Sequence, residues 1–327
     1  MTQHGETVDC IDINKQPAFD HPLLKDHKIQ MKPNLPSDFR MEEASTSEGR
    51  AHVNFNRIRC PPGTVPILRA TKASLARAKD YSHFHPATPE SPGLHQAVLE
   101  AKPGVLMGGK ASGTVYNYEV KSGQKTSSKM WLTSGDRLNS ISVGWTIAPD
   151  LFNDTLSHYF IEWDDWNPSG FKAGCINLLC QGFVQVDQSA FPGMAFHDVS
   201  QDQVTGNWWL YMLSGNISVG YWPAAILPKL RNGASFFSVG GISQAPVGGL
   251  NPPIGSGQFP DDDYLHSAFF RELQFVESAG NWEDVQQNTT SVDVDNPACF
   301  TLQNTGWDGE INRYVIMYGG PGGSCGA

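Results

Sequence analysis

From about residue 95 the chain breaks into short apolar or alternating runs separated by Gly, Pro, Asn, Asp and Ser, and this spacing constrains the fold most. GKASGTVYNYEV (109–120), SKMWLTS (128–134), NSISVGWTI (139–147), SHYFIEW (157–163) and GFVQV (182–186) each read as a strand. So do GNWWLYML (206–213), ISVGYWP (217–223), ASFFSVGG (234–241), AFFRELQFV (268–276) and RYVIMYGG (313–320). No long 3.6-residue period interrupts them, and one short helix is expected at WPAAILPKL. Many short antiparallel strands without covering helices must bury one sheet face against another, which predicts an all-β sandwich or closed barrel.

LNSISVGWTIAPD (138–150) is the most informative of these runs. Ile141, Val143, Trp145 and Ile147 fall on one face, and Ser140, Ser142, Gly144 and Thr146 on the other. The alternation predicts a strand with one side in the core. The other side is unusually small, a floor with space above it.

A nucleic-acid binder needs a basic face for counterion exchange, and with a formal net charge of −10 nucleic acid is not an expected partner. No apolar run is long enough for a membrane-spanning helix. Glycine (33) and proline (22) are abundant while charged residues make up only 17%, as suits a turn-rich folded β protein. The six cysteines, Cys10, Cys60, Cys175, Cys180, Cys299 and Cys325, allow fifteen pairings. Asn-x-Ser/Thr sequons at Asn153, Asn216 and Asn288 mark glycosylation candidates. MTQHGETVDC has no signal-peptide core, yet cysteines and sequons together predict a secreted protein (apoplast or vacuole) whose signal peptide is absent from this sequence.

Three parts follow from composition: a polar, proline-punctuated segment (1–81), a Pro/Ser/His-rich linker with a candidate processing site (82–94), and the strand-rich body (95–327). Near the end of the first part, CPPGTVPILRATKASLARAKDY predicts a turn, a short strand and a short helix capped by Thr71. His83 and His85 lack a nearby Cys or acidic cluster, so no metal is expected, and no cofactor motif occurs.

CIDINKQPAFDHPLLKDHKIQMKP followed by CPPGTVPILR resembles the activation segment of the plant neprosin family. SSKMWL, NSISVGW, AGCINLLCQGFVQ, GNWWL, VGYWP, GSGQFPDDDYLHSAFFRELQ and YGGPGG continue the resemblance in order over nearly the whole chain. It implies a large antiparallel β-sandwich, two curved sheets arranged like a jelly roll with a concave cleft, and a small N-terminal activation-type segment. It also implies the chemistry of secreted glutamic endopeptidases that cut next to proline in acidic fluid, made as zymogens. Disulfides Cys175–Cys180 and Cys299–Cys325 are implied in the same way, leaving Cys10 and Cys60 for each other.

The family's catalytic positions diverge here. Its strand motif Ile-Glu-Ala-Gly-Trp is matched by Ile141-Ser142-Val143-Gly144-Trp145, with serine for the acid. Its second glutamate falls on Asp262, within Gln258-Phe259-Pro260-Asp261-Asp262-Asp263. A glutamic peptidase needs one ionised and one protonated carboxyl about a water apart, their pKa values driven apart by proximity. A serine hydroxyl supplies neither, and the shorter aspartate displaces the other carboxyl by roughly 1 Å. The expectation is a chain that has lost glutamic-peptidase activity, its cleft reused for binding a peptide, glycan or small molecule or for non-proteolytic acid/base chemistry of isomerase or cyclase type. Asp261 joins the acidic rim. Glu162, on the strand after Ser142, enters the cleft only if the register sets the two opposite. In that case an acid pair of Asp262 and Glu162 could serve an acid-active proline-directed endopeptidase instead. Trp131, Trp145, Trp163, Tyr221 and Gln258 are candidate ligand contacts, and the chain's own N-terminal segment is a candidate partner of the cleft.

Overall fold

The computed structural model describes residues 7–34, 58–81, 92–102, 104–167, 169–192, 197–212, 217–277 and 281–326. Its strands begin with β1 (Val8–Asp12), β2 (Thr64–Leu68), β3 (Leu94–Ala101), β4 (Gly108–Gly113), β5 (Lys125–Thr133), β6 (Asn139–Ile147), β7 (His158–Asn167), β8 (Gly170–Ile176) and β9 (Val184–Gln185). They continue with β10 (His197–Gln201), β11 (Trp208–Met212), β12 (Ile217–Trp222), β13 (Phe236–Gln244), β14 (Ile254–Gly255), β15 (Ala268–Val276), β16 (Trp282–Asp284), β17 (Thr290–Val294), β18 (Thr301–Trp307) and β19 (Tyr314–Gly320). The helices α1 (Lys72–Asp80), α2 (Pro149–Phe152) and α3 (Gly309–Asn312) are short.

Two antiparallel sheets form a sandwich. One has seven strands in the order β17-β3-β13-β5-β6-β7-β8. The other has ten, in the order β14-β19-β15-β4-β10-β11-β12-β9, with β16 on β15 and β18 on β19. Inward-facing side chains of both meet in one core that joins Leu99, Met130, Ile141, Ile161 and Val239 to Trp208, Trp222, Phe270, Phe275 and Ile316. The layers approach closely enough that glycine is required: a Cβ on Gly109 of β4 would lie 2.8 Å from the Phe237 ring of β13.

The N-terminal segment spans the sandwich. β1 and β2 pair with each other, and Cys10–Cys60 closes them. On the outer face of the ten-stranded sheet, Ala18, Phe19 and Ile29 pack against Val184, Trp209, Tyr211 and Tyr221. Gln16 and Gln185 exchange hydrogen bonds, Gln16 Nε2 to the Gln185 carbonyl at 3.0 Å and Gln185 N to Gln16 Oε1 at 2.7 Å. At the other end α1 lies against the seven-stranded sheet, with Arg77 Nε donating to the Leu151 carbonyl at 2.7 Å. Thr71 caps α1 as expected, in a reciprocal box with Ser74.

The other disulfides are Cys175–Cys180 and Cys299–Cys325. No helix among the described residues is long and apolar enough to cross a membrane. Asn153 and Asn288 are exposed, while Asn216, His83 and His85 lie outside the described residues.

Several local expectations are corrected. The strand expected over 109–120 ends at Gly113; the following residues Tyr116, Tyr118 and Val120 pack beside Trp145 instead. WPAAILPKL is turns and one 3-10 turn, Pro228–Leu230, because Pro223 and Pro228 interrupt any longer helix. β1, β3, β17 and β18 carry polar residues on sheet edges or lack clean alternation, and the periodicity gave no sign of them.

Candidate functional site

The outer face of the seven-stranded sheet, beneath α1, holds a buried cluster of opposite charges. The register of β6 with β7 pairs Ser142 directly with Glu162 and Ser140 with Asp164. On the other side of β6, Ser142 pairs with Trp131 and Gly144 with Lys129. Directly opposite residues share a face, so Ser140, Ser142, Glu162, Asp164, Lys129 and Trp131 stand together. Ser142 Oγ donates to Glu162 Oε2 at 3.2 Å, and Ser140 Oγ donates to Asp164 Oδ2 at 3.2 Å. Lys129 Nζ lies 3.3 Å from Glu162 Oε2 and 3.5 Å from Ser142 Oγ.

The small floor of β6 is therefore not empty. Glu162 is 1% exposed, Ser142 3% and Lys129 4%. Side chains of the flanking strands lean over β6 and fill the space that its small residues leave. Gly144 is essential to this: a Cβ there would lie 2.1 Å from the Ser128 carbonyl oxygen and 2.7 Å from Lys129 Cβ. Lys129 Nζ also sits 5.5 Å from the Trp131 ring centroid and 5.9 Å from that of Phe160, so aromatic faces contribute to holding its charge.

The N-terminal segment covers this cluster. Ala78 and Tyr81 pack on Leu151, Phe160 and Ile176. The Tyr81 phenol is pushed well above its ordinary pKa by burial, then by the negative charges of Glu162 and Asp164. Lys125 Nζ stands 4.4 Å from the centroid of the Tyr81 ring. Desolvation pushes the Lys125 amine down to about 8, with Lys129 adding in the same direction and Glu162 and Asp164 opposing. Two cavities flank Tyr81. One of about 720 Å³ is lined by Leu75, Ala78, Trp166, Ile176 and Leu179. The other, about 300 Å³, is lined by Arg77, Gln124, Lys125, Asp150 and Gln244.

Not every candidate residue converges here. Asp262 is exposed in the loop between β14 and β15, at φ 64°, and its carboxylate accepts from Gln303 Nε2 of β18 in the other sheet. Asp261 caps the same loop, accepting from Ser267 Oγ at 2.9 Å and lying 3.0 Å from His266 Nδ1. Gln258 is exposed just beyond β14, its carbonyl beside Gly319 of β19. The structure thus separates this loop, anchored on the ten-stranded sheet, from the buried cluster.

Of the aromatic candidates only Trp131 stands on the face of Ser142, where it packs with Val98 and Ile242. Trp163 pairs with Ile141 and points into the intersheet core. Trp145 points to the same side of its sheet, packing on Val120 and Ile147 and donating from Nε1 to the Thr114 carbonyl at 2.9 Å. Tyr221 faces outward from the ten-stranded sheet, where its hydroxyl accepts from Gln30 N at 3.0 Å and meets His27 Nε2 at 2.8 Å. The period-two rule already places Trp145 opposite Ser142, and Trp163 opposite Glu162. Lys125, Lys129, Asp164 and Tyr81 were missed. The alternation of SKMWLTS, with Lys129 and Trp131 on one side, was the available signal.

This architecture is an antiparallel β-sandwich with a buried acid–amine cluster on the outer face of its seven-stranded sheet. A model of the family described as Neprosin matches residues 122–321, and one described as Neprosin activation peptide matches residues 1–100. The chain belongs to the neprosin family. Solved structures similar to it include two of Scytalido-glutamic peptidase. The one with a peptide based transition state analog has 11% identity and a TM-score of 0.34, over 70% of this chain and 98% of that one. The one with a transition state analog inhibitor has 10% identity and a TM-score of 0.35, over the same 70% and 98%.

Proposed function

We propose that this neprosin-family chain is a secreted protein that has left glutamic-peptidase chemistry, and that its outer-face cluster transfers protons on a bound small molecule in an isomerisation or cyclisation. The observation that carries this reading is the triangle of Ser142, Glu162 and Lys129, with the carboxylate 3.2 Å from the hydroxyl and 3.3 Å from the ammonium. A peptidase dyad offsets one carboxylate's charge with a second carboxyl's proton. Here the position matching the family glutamate is a hydroxyl, and an ammonium faces the neighbouring carboxylate. A carboxylate, a cation and a hydroxyl in a water-poor site suit proton abstraction from carbon, where the cation stabilises the negative charge that develops.

The test is digestion of a proline-rich protein at acid pH by the purified chain, with and without residues 1–91, beside Ser142→Glu. In parallel, a plant metabolite extract is searched for a product that Glu162→Gln fails to form. The expected result is no cleavage by the wild type and a product that depends on Glu162. Cleavage by the wild type that Glu162→Gln abolishes overturns the reading.

One observation favours a second reading. Glu162 and Asp164 are two residues apart on one strand face, each 1% exposed. Two carboxyls so placed would serve an acid-active endopeptidase without Asp262, and Asp164→Asn would then abolish cleavage together with Glu162→Gln.

A further inference from the structure

We propose that Lys125 is an imine-forming amine and that the substrate of the outer-face site is an aldehyde or ketone with an apolar body. The inference rests on the small-molecule reading above and supplies its substrate class. Three observations carry it. Lys125 opens β5 on the face of Lys129 and lines the cavity of about 300 Å³, so its amine borders a volume that admits a small molecule. The Tyr81 ring centroid stands 4.4 Å from the amine, and the charges of Lys129, Glu162 and Asp164 act on it through space. Beyond Tyr81 lies the larger cavity with the apolar side chains Leu75, Ala78, Ile176 and Leu179, suited to a hydrocarbon body.

An amine adds to a carbonyl only when neutral, and desolvation beside another cation is the usual way to obtain a neutral lysine. With the Lys125 amine at about 8, roughly half is neutral at pH 8, against about 0.3% for an ordinary lysine. Its lone pair attacks the carbonyl carbon, a C–N bond forms, and the C=O π pair moves to oxygen, which takes one of the two protons of the nitrogen. A second protonation of that oxygen and loss of water break the C–O bond. The amine proton still on nitrogen gives the protonated imine. Amine, carbonyl compound and one proton become iminium and water, with no oxidant or reductant. The iminium acidifies the neighbouring C–H toward removal by a carboxylate base.

The experiment incubates the full chain with 3-phenylpropanal and sodium cyanoborohydride at pH 8 and maps reduced adducts on every lysine by peptide mass spectrometry. Exposed Lys72 and Lys172 serve as internal standards. The expected result is saturable labelling of Lys125 at least tenfold faster than either standard, absent in Lys125→Arg while the standards label unchanged. Labelling of Lys125 no faster than Lys72 overturns the proposal. The wild-type ratio decides even if the variant misfolds. A failed ratio without peptide cleavage refutes the imine alone, whereas Glu162-dependent peptide cleavage refutes the underlying small-molecule reading.

Discussion

Ser142 and Glu162 face each other across the β6–β7 ladder, hydroxyl to carboxylate at 3.2 Å, both nearly inaccessible to water. An acid thus stands directly opposite Ser142, one strand over, with Lys129 as its counterion.

Removing one partner of a buried pair exposes the other's uncompensated charge. Glu162→Leu and Lys129→Met alone are each expected to lower unfolding free energy by about 3–5 kcal/mol, whereas the two together recover most of that loss. Urea denaturation of the two single and the double variants at neutral pH, analysed as a cycle, checks this.

Placing a glutamate at 142 sets two carboxyls directly opposite each other with one ammonium between them. Like charges so placed are destabilising, so Ser142→Glu should cost about 1–3 kcal/mol at pH 7 and less at pH 4, where the pair can hold a proton. A larger loss at pH 4 than at pH 7, read from the same denaturation curves, would contradict this electrostatic account.

Gly144→Ala is expected to cost about 1–3 kcal/mol and to displace Lys129, because the added methyl would stand 2.1 Å from the Ser128 carbonyl oxygen. Thermal unfolding gives the stability loss, and the labelling ratio at Lys125 reads out the displaced charge.

Docking of residues 7–34 should weaken on acidification. Burial lowers the pKa values of His21 and His27 below their ordinary 6.5. Asp202 is lowered below 3.8, where hydrogen bonds from Asn34, Gln30, Thr205 and Val204 outweigh its desolvation. A depressed folded pKa means that the contribution is present above the free value and is lost as pH falls through the docked one. The histidine contribution therefore fades below pH 6.5 and that of Asp202 below pH 3.8. Hydrogen exchange of residues 7–34 should rise in two steps, and His27→Gln should shrink the first. A single step near pH 4 in the wild type would contradict the histidine part.

The strands of the body were legible because turn residues separate their apolar runs, and LNSISVGWTIAPD gave both faces of β6 correctly. Whether its polar face was open could not be read from it, because the filling side chains, Lys129 and Glu162, belong to other strands. Their reach depends on register, which the turn between β6 and β7 does not encode. Asp262 shows the converse. Motif alignment put it beside Ser142, but the backbone at φ 64° and the bond to Gln303 hold it to the other sheet. Tyr81 was invisible for a third reason: a lone aromatic after a short helix carries no periodic signal, and its site lies in the tertiary contact of α1 with α2.

The Cys10–Cys60 bridge closes the N-terminal segment on itself and makes no covalent link to the sandwich. In the intact chain, Tyr81 is therefore presented to the charged cluster as a tethered ligand at an effective concentration set by the tether, on the order of millimolar for a short one. One peptide-bond cut between Tyr81 and Pro92 would turn it into an ordinary dissociable ligand. Its occupancy would then fall as the protein is diluted, so a single hydrolysis would make this site sensitive to how much of the protein is present.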